Sequence, residues 1–150
     1  MITKALNLKT SILALANLAI ITSCASSSGP ETLALRELRE AGYKVKAKQL
    51  GKASWYSTKT NNGTKTASGQ TLRNDAPTAA HKTLPMGTKV RVTNLVNNKS
   101  DIVTINDRGP FIKGRIIDVT IRTAEKLGFV QRGVVPIKLE VLAKSNNTTE

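Results

Sequence analysis

The sequence predicts one mainly β domain, folded as a compact β-barrel. From residue 51 onward, short apolar or alternating segments are separated by turns rich in glycine, proline and asparagine. Only two short segments, at 32–41 and 121–127, have the apolar spacing of a helix. Many short strands with so little helix favour a barrel over a sandwich or a sheet with crossover helices. The chain of 150 residues is long enough for one domain with a buried core.

The N-terminal residues have the features of an export signal. Lys4 and Lys9 precede an apolar run at 11–21, which is about half as long as the roughly 20 residues of a membrane-spanning helix. We therefore assign residues 1–23 to a secretory signal peptide. The segment ends in Ile-Thr-Ser-Cys, which resembles a bacterial lipobox, and Cys24 is the only cysteine of the chain. We expect Cys24 to be acylated rather than buried, because a lone thiol in an exported protein otherwise needs a partner.

Residues 24–50 are expected to form a lipid-anchored tether followed by a short helix that ends at Gly42. Ala25 follows the cysteine, and by resemblance to bacterial lipoproteins the lack of an aspartate there indicates the outer membrane, facing the periplasm. Two or more acyl chains anchor a protein stably, whereas one holds it only marginally. We assign residues 51–142 to the barrel and residues 143–150 to a polar, disordered tail.

The chain is strongly basic, with 23 Lys and Arg against 10 Asp and Glu and a formal net charge of +13. Such a balance often indicates nucleic-acid binding, but export and the scarcity of aromatic residues among the basic ones argue against it. The carboxylates and phosphates of a cell envelope are the partners that fit. One cysteine and one histidine exclude a disulfide framework and make a zinc site implausible, and we expect no metal or cofactor.

The elements of the barrel follow in order along the chain. Alternation and turn residues predict strands at 51–56, 89–93, 101–105, 116–119 and 134–142. Thr120 is expected to cap the helix over 121–127, which ends at Gly128.

The strongest candidate for chemistry is Asp107, in the segment Asn-Asp-Arg-Gly-Pro-Phe that follows an apolar strand. A carboxylate at a strand end is held by rigid backbone while its side chain stays open to a cleft, as general acid/base catalysis requires. Asn, Asp, Gly and Pro are also ordinary turn residues, so the segment alone is weak evidence. The lone histidine, His81, could belong to the site or could form hydrogen bonds within the core.

Six ordered segments together resemble the rare lipoprotein A (RlpA) family, whose members are lipoproteins built on a double-psi β-barrel. The resemblance covers residues 51–142 and implies a six-stranded double-psi β-barrel with one or two short helices. The segments are Gly51–Tyr56, Thr66–Gly69, Thr78–Pro85, Val92–Leu95, Asn106–Phe111 and Arg115–Asp118.

Several members of that family are lytic transglycosylases that cut peptidoglycan glycan strands stripped of their stem peptides. The resemblance therefore implies an enzyme that acts on glycan strands and leaves 1,6-anhydro-muramic ends, and we expect the protein to be a monomer. Because the muramic acid's own C6 hydroxyl captures the reacting centre, no water is consumed. The two carboxylates of hydrolytic glycosidases are then not strictly needed.

The resemblance places the family's catalytic aspartate at Asp107 and its accompanying histidine at His81, which would orient or tune the carboxylate. The family's catalytic glutamate falls on Gln70, and an amide cannot exchange a proton near neutral pH. Three alternatives follow. Asp107 performs both proton transfers alone, Asp75 supplies the missing charge, or the protein binds glycan without cleaving it. A further alternative is an envelope spacer or interaction lipoprotein.

Several other side chains are candidates for substrate binding. Trp55 and Tyr56 could stack on sugar faces, although one of two neighbouring strand residues usually faces the core. Arg108 could bind the lactyl carboxylate of muramic acid, or it could pair with Asp107. Asp118 lies within an apolar strand and is expected to be a structural partner for an arginine.

Overall fold

The computed structural model of the protein describes residues 30–60 and 65–145. The expected signal peptide, Cys24 with the start of the tether, and residues 146–150 of the expected tail lie outside the described residues. Within the described ranges, no helix is long and apolar enough to cross a membrane.

Six strands form a closed barrel, which confirms the predicted mainly β fold. Around the barrel the strand order is β1-β5-β2-β4-β3-β6, in which β1 pairs with β5, and β2 with β4, in parallel, while the other neighbours are antiparallel. A short 3₁₀ turn, Val130–Arg132, precedes the last strand. The elements are α1 (Pro30–Glu40), β1 (Tyr43–Tyr56), β2 (Thr78–His81), β3 (Lys89–Asn94), β4 (Ser100–Asp107), β5 (Arg115–Thr120), α2 (Ile121–Lys126) and β6 (Val135–Lys144).

Several strands are longer than the sequence predicted, and β1 differs most. β1 begins at Tyr43 rather than near Gly51, because the segment assigned to the tether pairs with the second half of β6. That half of β1 alternates lysines with small or apolar residues and is mostly exposed, so it lacks the apolar face that predicts a buried strand. β6 continues to Lys144, two residues into the expected tail. β2 was not predicted as a strand, since it has only four residues, two of them alanines.

The barrel interior is filled by apolar side chains that alternate along the strands, among them Val90, Ile105, Ile117 and Leu139. Glu140 follows the core residue Leu139 and points away from the barrel interior, yet its side chain is completely buried. The carboxylate of Glu140 pairs with the guanidinium of Arg91 on β3 at 2.5 Å. Pairing with a nearly buried arginine explains how β6 tolerates a carboxylate there.

The hydroxyl of Thr120 was expected to cap α2, but it forms a hydrogen bond to the loop between β1 and β2 instead. Thr120 occupies the N-cap position, but its side chain makes no capping hydrogen bond. The hydroxyl donates instead to the carbonyl oxygen of Ala76 at 2.7 Å. Thr120 therefore ties the long loop between β1 and β2 to the end of β5.

Candidate functional site

The site forms on the outer face of the barrel, where β2 lies between β4 and β5. Ala80 on β2 pairs with Asp107 on β4 and with Asp118 on β5. Paired residues of neighbouring strands point to the same face of a sheet, so the two aspartates flank the small side chain of Ala80. Because the alanine side chain is short, a cleft forms between the two aspartates, and Ala80 lies at its floor.

The cleft has a volume of about 230 Å³. Both aspartates line it, and they are accompanied by two arginines and two aromatic residues from β1, β5 and the turn after β4. These lining residues are Tyr56, Asp107, Arg108, Phe111, Arg115 and Asp118. A larger cavity of about 600 Å³ lies beside α2 and holds neither Asp107 nor Asp118. The smaller cleft is therefore the one that contains Asp107, the strongest candidate acid.

Asp107 is the last residue of β4, and backbone donors fix its carboxylate. Its Oδ1 accepts hydrogen bonds from the backbone N–H groups of Ala67 and Arg108, both at 2.8 Å. No side chain or backbone donor of the described residues reaches Oδ2. The carboxylate is thus oriented through one oxygen, and the other is free to exchange a proton in the cleft.

The loop that carries Gln70 is joined to the end of β4 by several hydrogen bonds. Asn106 Nδ2 donates to Gln70 Oε1 at 3.0 Å, and Ser68 N donates to the Asn106 carbonyl at 3.1 Å. Thr66 N closes the loop by donating to the Gln70 carbonyl at 2.8 Å. The structure therefore brings the side chain at position 70 next to the residue that precedes Asp107.

Sequence reasoning missed the role of Asn106 in this arrangement. Its side chain is buried, and its Oδ1 has no hydrogen-bond partner in the described part of the chain. A polar residue directly before the catalytic candidate, at the end of an apolar strand, was the available signal.

The ring of His81 is hydrogen-bonded to the backbone of the turn that follows β2, and among the described residues it has no hydrogen bond to Asp107. Its Nδ1 accepts hydrogen bonds from the backbone N–H groups of Thr83 at 3.2 Å and Leu84 at 3.1 Å. A ring nitrogen that accepts hydrogen bonds carries no proton, so the imidazole is neutral with its proton on Nε2. Burial lowers the pKa of His81, and the charges of Arg108 and Lys82 lower it further. The ring holds the turn that follows β2.

Arg108 binds that same turn. Its Nη1 donates to the carbonyl oxygens of Leu84 at 2.9 Å and His81 at 3.3 Å. The alternative that its side chain pairs with the carboxylate of Asp107 is wrong, because only the backbone N–H of Arg108 contacts that carboxylate. The guanidinium is therefore fixed at the cleft by neutral acceptors, which leave its positive charge available to an anionic ligand.

Asp118 pairs with an arginine, as predicted. Arg115 contacts it through two guanidinium nitrogens: Nε donates to Oδ1 at 3.1 Å, and Nη2 donates to Oδ2. The hydroxyl of Ser54 donates to Oδ1 at 2.7 Å. This pair also lines the cleft, which could not be predicted from local sequence because it depends on the register of β5 against β2.

Trp55 does not reach the cleft, so its predicted role in sugar stacking is wrong. Its ring packs against the core, and its Nε1 donates to the Val130 carbonyl at 3.1 Å. The next residue, Tyr56, faces the opposite way and lines the cleft, as strand alternation requires.

The ring of Tyr56 is buried against Leu72 and Ala80, so it offers no open face to a sugar. Its hydroxyl is buried and makes no hydrogen bond of normal geometry with the described residues. Burial raises the pKa of Tyr56 to about 12, and the charges of Asp107 and Asp118 act in the same direction, although the Thr78 side chain opposes them. The hydroxyl thus stays protonated at the edge of the site.

Asp75 lies outside the cleft. It is exposed and pairs with Arg73, whose Nε and Nη2 donate to its two carboxylate oxygens at 3.0 and 2.8 Å. The hydrogen bond from Arg73 lowers the pKa of Asp75. Asp75 lines the larger cavity beside α2, which gives no support to the alternative that it supplies charge beside Asp107.

Among residues 30–60 and 65–145, no group of three or more His, Cys, Asp or Glu side chains could hold a metal ion.

Sequence comparison places this chain among known proteins of one family. A family model described as lytic transglycolase matches residues 48–139. The chain is 50% identical over 93 residues to a Pseudomonas aeruginosa protein named endolytic peptidoglycan transglycosylase RlpA, and the alignment covers 62% of this chain and 27% of that protein. A Rickettsia felis protein of the same name is 42% identical over 132 residues, covering 78% of this chain and 58% of that protein. The chain thus spans less than two thirds of the length of these relatives.

The fold also occurs in a solved structure whose name indicates a different function. A Streptomyces papain inhibitor has a TM-score of 0.53 and 22% sequence identity, covering 67% of this chain and 97% of the inhibitor. At that identity the likeness concerns the barrel alone. The family match, in contrast, spans more than half of the chain and confirms the resemblance found in the sequence. The chain therefore belongs to the lytic transglycolase family of double-psi β-barrel proteins.

Proposed function

We propose that the protein is a lytic transglycosylase that cleaves the glycan strands of peptidoglycan, with Asp107 as both acid and base. The observation that carries the proposal is the asymmetry of the Asp107 carboxylate. Two backbone N–H groups hold Oδ1, Oδ2 has no protein donor among the described residues, and the Asp107 side chain lines the cleft. The names of the relatives support the same activity.

The reaction needs one group that first gives and then takes a proton. Asp107 protonates the glycosidic oxygen between N-acetylmuramic acid and N-acetylglucosamine, and the C–O bond to the muramic acid breaks. The C6 hydroxyl of the same muramic acid attacks the oxocarbenium-like carbon and returns its proton to Asp107. The products are a free N-acetylglucosamine hydroxyl and a 1,6-anhydro end, so no water enters the reaction.

Arg108 supports a preference for strands that lack stem peptides. Removal of a stem peptide leaves a free lactyl carboxylate on the muramic acid. A guanidinium that is fixed at the cleft by the carbonyls of His81 and Leu84 suits that anion. Its side chain would hold the lactyl group while Asp107 acts on the neighbouring bond.

The second candidate function is glycan binding without cleavage, and Gln70 is the observation that favours it. Its amide accepts a hydrogen bond from Asn106 and keeps the loop in place, but it cannot carry the proton that the family's glutamate would carry. In this alternative the cleft keeps its shape and its arginine, and Asp107 only accepts hydrogen bonds from sugar hydroxyls.

The site of action is part of the proposal. Acylation of Cys24 would anchor the protein in the outer membrane and let the barrel reach the peptidoglycan from the periplasmic side. Its basic surface would keep it close to the anionic groups of the envelope. Metabolic labelling with a fatty-acid analogue, compared with a Cys24→Ser variant, tests the anchor.

Digestion of stem-peptide-free glycan strands by residues 25–150, with mass spectrometry of the products, tests the activity. We expect anhydro-ended fragments from this protein and none from Asp107→Asn. Products from Gln70→Glu alone would establish the binding function instead. An unchanged product yield in Asp107→Asn would show that another group is the acid.

A further inference from the structure

Phe111 is the most exposed of the large apolar side chains in the described ranges, and it lines the cleft that contains Asp107. Its side chain is 82% exposed, and the next residue, Ile112, is 56% exposed and lines the same cleft. The preceding residue, Pro110, is buried. Two open apolar side chains beside a buried proline contribute little to the core, so their exposure points to a ligand.

One edge of the Phe111 ring lies close to Gly109, in the turn that carries it. A Cβ atom placed on Gly109 would lie 3.7 Å from Cε2 and 3.8 Å from Cδ2 of Phe111. One edge of the ring thus rests on the backbone at Gly109, while most of the ring is open to solvent. The turn begins at Arg108, whose backbone and side chain are both hydrogen-bonded. The aromatic ring and the Asp107 carboxylate therefore lie four residues apart on one segment, which hydrogen bonds of Arg108 attach to the neighbouring turn.

An open aromatic ring beside a carboxylate suits a saccharide better than a peptide. Pyranose rings with equatorial substituents have hydroxyl edges and an apolar C–H face, and that face packs on aromatic rings. The methyl group of an N-acetyl substituent could then pack against the side chain of Ile112, which lines the same cleft. Of the two aromatic residues at the end of β1, Trp55 packs on the core and Tyr56 is buried, so neither can supply this contact.

We propose that Phe111 is the stacking platform for an N-acetylated pyranose ring of the glycan strand, with Ile112 as the contact for its acetamido methyl. The inference rests on the proposed function, because it takes the ligand of the Asp107 cleft to be a glycan. The platform acts in binding, and proton transfer remains with Asp107.

Binding is tested on the full chain carrying Asp107→Asn, with stem-peptide-free glycan oligomers titrated by calorimetry. We expect Phe111→Ala to lower the affinity roughly tenfold, Phe111→Leu to lower it less, and Phe111→Trp to retain it. Leu95→Ala is the matched control, because Leu95 is also an exposed apolar residue, at 44%, and does not line the cleft. Both substituted side chains, Phe111 and Leu95, are at the surface, so the melting temperatures of all four variants should stay unchanged.

The same substitutions in the chain with Asp107 intact separate the two proposals. We expect Phe111→Ala to raise KM and leave kcat nearly unchanged. Equal affinity and equal KM for Phe111→Ala and Leu95→Ala would overturn the platform while cleavage continued to support the proposed function. A loss of kcat at unchanged KM would also overturn it. If the parent protein neither bound nor cleaved glycan, both proposals would fall together.

Discussion

Asn106 and Gln70 are joined by a hydrogen bond of 3.0 Å from Asn106 Nδ2 to Gln70 Oε1. The bond crosses from the end of β4 to the loop after β1, and it holds the side chain at position 70 beside the residue that precedes Asp107. A glutamate at position 70 would offer the same acceptor to Asn106. Proton chemistry at this position therefore depends on a single atom, the amide nitrogen that replaces a carboxylate oxygen.

Gln70→Glu should keep the loop in place and increase cleavage of stem-peptide-free strands. Near the cleft, a carboxylate could share the two proton transfers with Asp107. We expect turnover to rise at least about tenfold, which is less than the roughly 100-fold or more of a newly supplied general acid or base, because Asp107 already transfers protons in the parent. The measurement is the initial rate of release of anhydro-ended fragments. The prediction fails if the rate is unchanged while the melting temperature matches that of the parent.

Gln70→Ala provides the structural control for that substitution. It removes the acceptor of Asn106 Nδ2 and should lower the free energy of unfolding by about 1 kcal/mol, the net value of one hydrogen bond. Urea unfolding measures this change.

Asp107→Asn should abolish cleavage and preserve both the fold and glycan binding. An asparagine Oδ1 can still accept the two backbone N–H bonds from Ala67 and Arg108, but the amide cannot transfer a proton. We expect kcat to fall at least about 100-fold. Asp101→Asn is the matched control, since Asp101 is also a strand carboxylate and its partner is Lys126 at 3.2 Å. Comparable losses in both variants would contradict an assignment of the acid to Asp107.

Asp107→Ala separates the structural contribution of the same side chain. It leaves two backbone N–H groups without their acceptor, and we expect a loss of about 1–2 kcal/mol in the free energy of unfolding that Asp107→Asn does not show. Denaturant unfolding of the two variants side by side measures the difference.

The barrel could be predicted from the sequence because most strands bury an alternating apolar face. Strands β3, β4, β5 and β6 all have this pattern. The N-terminal half of β1 and the whole of β2 lack it, because one is exposed and basic and the other is four residues long. Both segments form strands because of pairing with their neighbours. The N-terminal half of β1 pairs with β6, and β2 pairs with β4 on one side and β5 on the other.

The candidate site could be predicted only in part, for a related reason. Asp107 and Gln70 are each identifiable from a local motif, and the structure brings their segments together. That Asp118 and Arg115 line the same cleft depends on register between strands distant in sequence. The choice between Trp55 and Tyr56 depended on which face of β1 meets the core, and the core lies on the side of Trp55. A pattern of single residues does not contain that information.

Glu140→Ala should destabilise the barrel strongly without changing the chemistry of the cleft. The substitution leaves the nearly buried guanidinium of Arg91 without the carboxylate that it contacts at 2.5 Å. We expect a loss of about 3–5 kcal/mol in the free energy of unfolding, as is typical when one partner of a buried pair is removed. Thermal unfolding measures it, together with the cleavage rate per folded molecule.

The exposed pair between Arg36 and Glu40 is the control for Glu140. Its partners are separated by 3.0 Å, but both side chains are mostly exposed. Glu40→Ala should therefore change the free energy of unfolding by less than about 0.5 kcal/mol. Similar losses for Glu40→Ala and Glu140→Ala would mean that burial does not set the strength of the Arg91 pair.

His81 should make stability depend on pH below about 6.5. Burial lowers its pKa in the folded protein from the ordinary value of 6.5, with the charges of Arg108 and Lys82 acting in the same sense. The unfolded chain therefore binds a proton more readily than the folded one. Stability is fully present above pH 6.5 and is lost as the pH falls from there through the lower folded pKa. Protonation of Nδ1 would also remove the acceptor for the backbone N–H groups of Thr83 and Leu84.

His81→Asn tests that account, because the Oδ1 of asparagine occupies a position close to that of Nδ1 and accepts hydrogen bonds without titrating. We expect urea unfolding at pH 5 and pH 7.5 to give a smaller difference in unfolding free energy for His81→Asn than for the parent. The turn also anchors Arg108, so cleavage by the parent should fall over the same pH range as its stability. An equal pH dependence of stability in the two proteins would assign the effect to other groups and leave His81 only its place in the turn.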